Sequence, residues 1–224
     1  MASVSASTSS IVPDFIHQTM PKAIQEGGDF MYPILLLGIV GLAFFVERWI
    51  KLSLVYSVDQ SYFNKIKALS RDGRFKEAAQ VSLEKSHPLA SVLVILLKNR
   101  KKNKEEIESL GQLEVQKVLP DITKRTSYIN MFGNLATLVG LLGTIDGLIL
   151  SFSSLGGAEA SEKATILANG ISTAMNTTAF GLIVAIPCIA AYTYLSNLEK
   201  DLLLSYDEVS SEIIHNIVYN TESE

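Results

Sequence analysis

The sequence predicts an all-α membrane protein with three transmembrane helices, whose long helices extend into a helical domain on the cytoplasmic side. Three observations support this prediction. Apolar residues make up 48% of the 224 residues and charged residues only 19%, a balance too apolar for an ordinary soluble domain. Sixteen of the 19 Lys and Arg residues lie between Arg48 and Arg125. No segment shows the alternating pattern that is typical of β-strands.

The first 29 residues are predicted to form an extracytoplasmic segment. Its first ten residues lack the basic residues that begin a secretory signal peptide, so we expect the first span to direct membrane insertion. Residues 14–26, DFIHQTMPKAIQE, place several apolar side chains on one face. This pattern predicts a short amphipathic helix that lies on a membrane surface.

The first transmembrane helix is predicted at 30–55. Seventeen uncharged residues run from Phe30 to Val46, and apolar character resumes after Glu47 and Arg48 up to Val55. A bilayer core needs about 20 apolar residues in a helix. We therefore expect Glu47 and Arg48 to lie at the membrane interface, where long charged side chains can reach water.

Residues 56–125 are predicted to form a cytoplasmic helical domain, because they hold most of the charge and their apolar residues recur at helical spacing. Gly73 predicts a turn between two helices, and Pro88 predicts the first turn of another. The basic run KNRKKNKEE is typical of a solvated surface. It contains no aromatic residues, so nucleic-acid binding is not expected.

Two further spans are predicted at 126–155 and 164–198. The first contains a single charged residue, Asp146, and the second contains none. The extracytoplasmic link at 156–163 is too short to hold a domain, so the two spans should form a hairpin. Residues 199–224 return to an amphipathic pattern and predict a cytoplasmic carboxyl-terminal helix.

The charge distribution predicts the orientation of the chain. The stretch from Arg48, near the end of the first span, to Arg125 holds 16 basic residues, while the segments on the other side hold only Lys22 and Lys163. Cytoplasmic loops of membrane proteins carry an excess of Lys and Arg. The amino terminus is therefore predicted to lie outside and the carboxyl terminus in the cytoplasm.

Small and hydroxylated residues recur along both hairpin spans at intervals of three and four. Such a row lets two helices approach closely. In the second span the row is predicted to contain Gly133, Thr137, Gly140, Thr144, Gly147 and Ser151, with Gly143 and Gly147 forming a GxxxG pair. In the third span it contains Gly170, Ala174, Thr177, Gly181 and Cys188, beside a polar stripe of Asn169, Thr173 and Asn176.

The polar side chains of these spans have two interpretations, and the sequence does not decide between them. They could line a hydrated path, or they could hydrogen-bond to each other inside the membrane. Asp146 points away from the predicted row and is a candidate for ion handling or for pairing with a neighbouring helix. Pro187 should kink the third span, because proline removes a backbone donor.

The sequence gives no reason to expect an enzyme. No nucleophile with a neighbouring base and no phosphate-binding glycine loop is recognisable. The one cysteine, Cys188, and the three histidines lie in separate segments, so no metal site and no cofactor are predicted.

Two motifs carry a resemblance to a known family. The segments GLLGTIDGLILSF at 140–152 and GISTAMNTTAFGLIVAIPCIAAYTYL at 170–195 closely resemble the motifs of the MotA/TolQ/ExbB proton channel family. The segment 30–52 resembles the first span of its three-span TolQ/ExbB branch. The resemblance implies a homopentamer in the bacterial inner membrane around a dimer of a single-span ExbD/TolR-like protein, which carries a membrane aspartate.

By the same resemblance, Thr144 and Thr178 would line the ion path beside that aspartate, with Thr177 assisting. Many members of the branch carry a glutamate where this chain has Thr173. Either the aspartate of the single-span protein suffices to carry H⁺, or Thr and Asn oxygens bind Na⁺. The expected function is an energiser (stator) subunit that converts ion flow into mechanical work. The alternative is a helical membrane scaffold that conducts no ions.

Overall fold

The computed structural model describes residues 28–85 and 87–222, and all regular structure within these ranges is helical. A π-helical segment, Lys51–Val55, follows the first helix. The amphipathic helix predicted at 14–26 lies outside the described residues. The helices are α1 (Met31–Ile50), α2 (Gln60–Arg71), α3 (Phe75–Leu83), α4 (Pro88–Lys98), α5 (Lys104–Thr123), α6 (Thr126–Ser154) and α7 (Lys163–Glu222).

Three helical stretches in the described part of the chain are long and apolar enough to cross a membrane. They lie within Met31–Arg71, Lys104–Ser154 and Lys163–Asn220. Only 17%, 22% and 28% of their most apolar windows are buried inside the chain. Most of their apolar surface is therefore left for lipid or for other chains, which confirms the prediction of an all-α membrane protein.

The third of these stretches is one unbroken helix. α7 runs for 60 residues, a length of about 90 Å at 1.5 Å per residue, and it has no break at 198–199, where the carboxyl-terminal helix was expected to begin. It also continues through Pro187, whose side chain is exposed. The missing hydrogen bond at Pro187 thus does not end the helix, and the kink there stays a prediction.

The chain divides into two compact units. The first comprises Met1–Ala43 and Tyr128–Ala191, and so contains the beginning of α1, most of α6 and the first half of α7. Its buried core is formed by Met31, Ile34, Ala136 and Phe180, with Leu37, Val139 and Val184 packed around them. The outer surface of this unit is apolar, with Leu138 and Met175 each about 60% exposed or more.

The second unit comprises Phe44–Ser127 and Tyr192–Glu224. Three of its helices begin at side-chain caps: Asp59 accepts hydrogen bonds at the start of α2, His87 at α4 and Asn103 at α5. Gly73 has a φ of 72° and forms the turn between α2 and α3, and Pro88 is the first residue of α4, so both predictions are confirmed. The buried apolar residues of this unit include Phe63, Ile66, Leu89, Leu93, Leu96, Leu97, Ile107, Ile213 and Ile217.

A buried ion pair lies at the junction of α5 and α6 in the second unit. Arg48 is 2% exposed and lies 3.5 Å from the Glu199 carboxylate, which is also buried. Arg48 donates to the Ile122 carbonyl and, over 3.3 Å, to the Thr126 hydroxyl, which in turn donates to Glu199. Sequence reasoning placed Arg48 at the membrane interface and missed this cluster, because its partners lie 73 to 151 residues away along the chain.

Candidate ion pathway

The two hairpin helices of the first unit, α6 and α7, approach each other along a row of small residues, which we call the seam. A Cβ atom on Gly140 would lie 3.3 Å from the Gly181 Cα, and one on Gly147 would lie 3.2 Å from the Ala174 Cβ. A Cβ atom on Gly181 would lie only 2.8 Å from the Ala136 carbonyl oxygen. The two backbones are therefore closer than side chains of ordinary size would allow.

The six glycines predicted for helix packing all lie at this seam, namely Gly133, Gly140, Gly143, Gly147, Gly170 and Gly181. The expected row needs one correction. The α6 contact line passes through Ala136 and Gly143, and not through Thr137 and Thr144. Alanine and glycine permit the closer approach, so the helix turns its hydroxyls to one side of the contact.

The seam divides the hairpin into two flanks. Val139 and Phe180 each directly precede a seam glycine, and both pack with Met31 and Ile34 of α1. Successive residues of a helix are 100° apart around its axis. When two antiparallel helices face each other, the residue directly before the contact residue lies on the same side of the hairpin in both helices. Residues that directly precede seam residues therefore lie on the α1 flank, and residues that directly follow them lie on the opposite flank.

The opposite flank holds three half-buried threonines. The Thr144 hydroxyl donates to the Leu141 carbonyl over 2.6 Å, and the Thr137 hydroxyl donates to the Gly133 carbonyl over 3.3 Å. The Thr178 hydroxyl donates across the seam to the Gly140 carbonyl over 2.9 Å. Each hydroxyl thus keeps oxygen lone pairs that can accept another hydrogen bond.

Thr177 has a different environment from its neighbour Thr178. It is 1% exposed, its methyl group lies against Gly143, and its hydroxyl donates to the Thr173 carbonyl over 2.9 Å. Thr177 is therefore a seam residue. Within a single chain its side chain is enclosed between the two helices and is not exposed on either flank.

The α1 flank holds four other polar side chains. Asp146 precedes Gly147 and Thr173 precedes Ala174, and both are half-buried. Asn176 is half-buried and Asn169 is exposed. The side chains of Asp146, Asn169 and Asn176 form no hydrogen bond with any residue that the structure describes. Polar groups at membrane depth need water or another chain in that case, because an unsatisfied group is costly in hydrocarbon.

Comparison with known proteins decides the family. The model of the MotA/TolQ/ExbB proton channel family matches residues 75–208, more than half of the chain. The chain belongs to this family. Its match begins in the second unit and includes all of α6 and most of α7, with both motifs that carry the resemblance.

Of three similar proteins, two match most of the chain and one matches about half of it. A biopolymer transport protein, ExbB-like 1, from Synechocystis is 31% identical over 208 residues, which cover 90% of this chain and 81% of the relative. Biopolymer transport protein exbB1 from Vibrio cholerae is 24% identical over 80% of each chain. Biopolymer transport protein ExbB from Aquifex aeolicus is 34% identical over 48% of this chain and 69% of the relative.

Family membership and the three apolar helices together identify a multi-pass protein of the bacterial inner membrane. The family consists of channel proteins that energise transport and work with partner proteins in the membrane, and it is not an enzyme family.

Proposed function

We propose that this chain is the ion-channel subunit of an inner-membrane motor that couples proton flow to mechanical work. In this proposal five copies surround a dimer of a single-span ExbD/TolR-like protein that carries a membrane aspartate. The amino terminus lies outside and the carboxyl terminus lies in the cytoplasm. The ion is H⁺, and Na⁺ is the alternative that neutral Thr and Asn oxygens would also bind.

The observation that supports this proposal is the common flank of Thr144 and Thr178. Both hydroxyls lie on the side of the hairpin opposite α1, and each donates its hydrogen to a backbone carbonyl. In this state the hydroxyl oxygen can accept a hydrogen bond from the O–H of a protonated carboxyl group. By rotating away from its carbonyl it can donate to a carboxylate. The flank can therefore stabilise both protonation states of a passing aspartate without a fixed charge.

The experiment that tests this role compares two threonines of the same helix face. Thr137 lies two helical turns before Thr144. Like Thr144, it is half-buried, and its hydroxyl donates to a backbone carbonyl in the preceding turn of α6. We expect Thr144→Val to abolish proton uptake into vesicles that hold the complex, and Thr137→Val to leave uptake nearly unchanged. Thr178→Ser should retain uptake, whereas Thr178→Val should lose it. Equal effects at positions 137 and 144 would contradict the role of Thr144.

A non-conducting scaffold remains the second candidate, and one observation favours it. Thr137, Thr144, Thr177 and Thr178 all find hydrogen-bond acceptors within the chain, which is the arrangement of helices that only pack. The scaffold predicts that Thr→Ala changes leave every cellular readout unchanged while changes at seam glycines prevent assembly. Proton uptake that depends on Thr144 would exclude it.

A further inference from the structure

The carboxyl group of Asp146 is used neither by the packing of the hairpin helices nor by the threonine flank. It is the only charged side chain within residues 126–158, and residues 164–198 contain none. It is half-buried and forms no hydrogen bond or ion pair with any described residue. Ionisable side chains are rare in membrane helices, and one without a partner is by default a candidate for a functional role.

The contacts of the seam place Asp146 on the α1 flank. Gly147 opposes Ala174, and Asp146 and Thr173 directly precede these two residues. They therefore lie on the same side of the hairpin and at the same level. Asn176, which precedes the seam residue Thr177, lies on this flank about one turn further along α7. Asp146, Thr173 and Asn176 together are called the α1-flank group below.

The α1-flank group lies close to the level at which α1 begins. Phe30, the residue before α1, lies against Gly143, with its Cβ 3.2 Å from the position of a Cβ there. Asp146 is almost one turn beyond Gly143 toward the link that joins α6 to α7. A Cβ on Gly28 would lie 3.8 Å from the Thr173 methyl group, so the chain ahead of α1 passes beside this group.

The α1-flank group is separate from the threonines of the proposed ion path. Asp146 and Thr144 are two residues apart, which is 200° around the helix. The ionisable residues at the ends of the neighbouring helices are Asp29 ahead of α1, Glu162 ahead of α7 and Lys163, the first residue of α7. Lys163 forms no ion pair with Asp146, and the other two are carboxyl groups like Asp146 itself.

We infer that Asp146 is a proton-exchanging carboxyl of this subunit, which works on the α1 flank with the Thr173 hydroxyl and the Asn176 amide as neutral neighbours. A hydronium ion on the link side gives its proton to the carboxylate, forming an O–H bond and leaving water. The bond breaks again when the proton passes to a water molecule deeper in the complex. Hydroxyl and amide groups can hydrogen-bond to both the protonated acid and the carboxylate, so they do not favour one protonation state of Asp146 strongly over the other.

This inference rests on the proposed channel function, and its test uses the complex of this chain with its single-span partner in vesicles. Proton uptake should fall at least about tenfold in Asp146→Asn and stay near the original rate in Asp146→Glu. Moving the carboxyl to the facing helix, with Asp146→Asn and Thr173→Glu together, should restore most of the uptake. The matched control, Asp146→Asn with Thr137→Glu, puts a carboxyl on the opposite flank and should not restore it.

The outcomes separate the two proposals. Absence of uptake in the unchanged complex would overturn the channel function itself. Normal uptake in Asp146→Asn would overturn only the role of Asp146. Loss of assembly in Asp146→Asn, measured by native mass spectrometry, would assign the carboxyl to subunit pairing and would equally overturn its proton role.

A second measurement covers the case in which the double variant does not assemble. Infrared difference spectra between acid and neutral pH, recorded on this chain alone in lipid, report the C=O band of carboxyl groups that become protonated. We expect a band that disappears in Asp146→Asn and shifts in Asp146→Glu. Identical spectra for all three proteins would overturn the inference without reference to transport.

Discussion

His87 shows how one residue gains a role from the residues packed around it. Its Nδ1 accepts a hydrogen bond from the Leu89 backbone N–H over 3.2 Å and so caps α4. Its ring lies 5.3 Å from the Phe63 ring and 5.7 Å from the Tyr206 ring, measured between centroids. Burial lowers the pKa of His87, and the carbonyls of Tyr56 and Ser57 oppose that shift only in part.

The lowered pKa of His87 predicts a pH dependence of stability. An unfolded chain binds a proton at this residue below about pH 6.5, whereas the folded chain resists it. Stability is therefore full above this pH and falls as the pH decreases below it, by at most about 1.4 kcal/mol per pH unit from this residue. His87→Asn keeps a capping side chain and does not titrate. Thermal unfolding between about pH 7.5 and pH 5.5 should show a smaller decrease in this variant. Equal decreases in both proteins would contradict the prediction.

Arg48 and Glu199 form a buried ion pair. Substituting one of the two residues should destabilise the protein more than substituting both. Removing one partner leaves the other charge uncompensated, so Arg48→Met should lower the free energy of unfolding by roughly 3 kcal/mol. Changing both residues to Met should recover most of that loss. The control is Glu212→Gln, which breaks the more exposed ion pairs with Lys67 and Arg71 and should cost about 1 kcal/mol or less. Denaturant unfolding in detergent measures all of these variants, and an additive double variant would refute the coupling.

At the scale of whole elements, the α6–α7 seam depends on the absence of side chains. Gly181 lies so close to the Ala136 carbonyl that even a methyl group would need the backbone to move. The hairpin also contains a glycine without such a neighbour, since nothing lies within 4 Å of a Cβ atom on Gly157. The two positions thus form a natural pair for comparison.

We expect Gly181→Ala to lower the free energy of unfolding by about 1–3 kcal/mol, because overpacking forces the two helices apart. Gly157→Ala should change it by less than about 0.5 kcal/mol. Thermal unfolding of both variants in the same detergent measures the difference. A Gly181→Ala protein as stable as the unchanged chain would show that the seam opens at little cost.

In the part of the molecule that the structure describes, the three long apolar helices leave most of their surface without a partner inside the chain. At most 28% of the most apolar window of each is buried, and large side chains such as Leu36, Leu138 and Ile186 are about 60% exposed. Lipid and neighbouring subunits are the two environments that can cover such surfaces. Asp146 and the two asparagines of the α1 flank need a polar environment in addition.

For the assembly we expect a complex of five copies of this chain with two copies of the single-span protein. The measurement is native mass spectrometry of the detergent-purified protein, alone and co-expressed with that protein. A monomer or dimer that does not bind the single-span protein would instead favour the scaffold. Seam variants such as Gly181→Ala serve as the control, because they test whether the assembly depends on an intact hairpin.

The sequence by itself determined the class of the protein, the positions of its apolar spans and the glycines of the seam. These features follow from local composition and from helical periodicity, which any chain segment shows without its neighbours. Gly73 and Pro88 were predicted for the same reason, since glycine permits the positive φ of a turn and proline fixes its own φ near the helical value. The family was also accessible, because its two motifs are continuous segments within the hairpin.

Only the tertiary structure decided which side of each helix meets its neighbour. The α6 contact line passes through Ala136 and Gly143, so Thr137 and Thr144, which directly follow them, lie on its flank. Asp146 and Thr173 both lie on the other flank, because each directly precedes a seam residue. The burial of Arg48 against Glu199 and the enclosure of His87 by two aromatic rings depend on segments far apart in the chain. The periodicity of the sequence shows which residues share a face of a helix. Which neighbouring helix packs against that face depends on contacts between segments that are far apart in the chain.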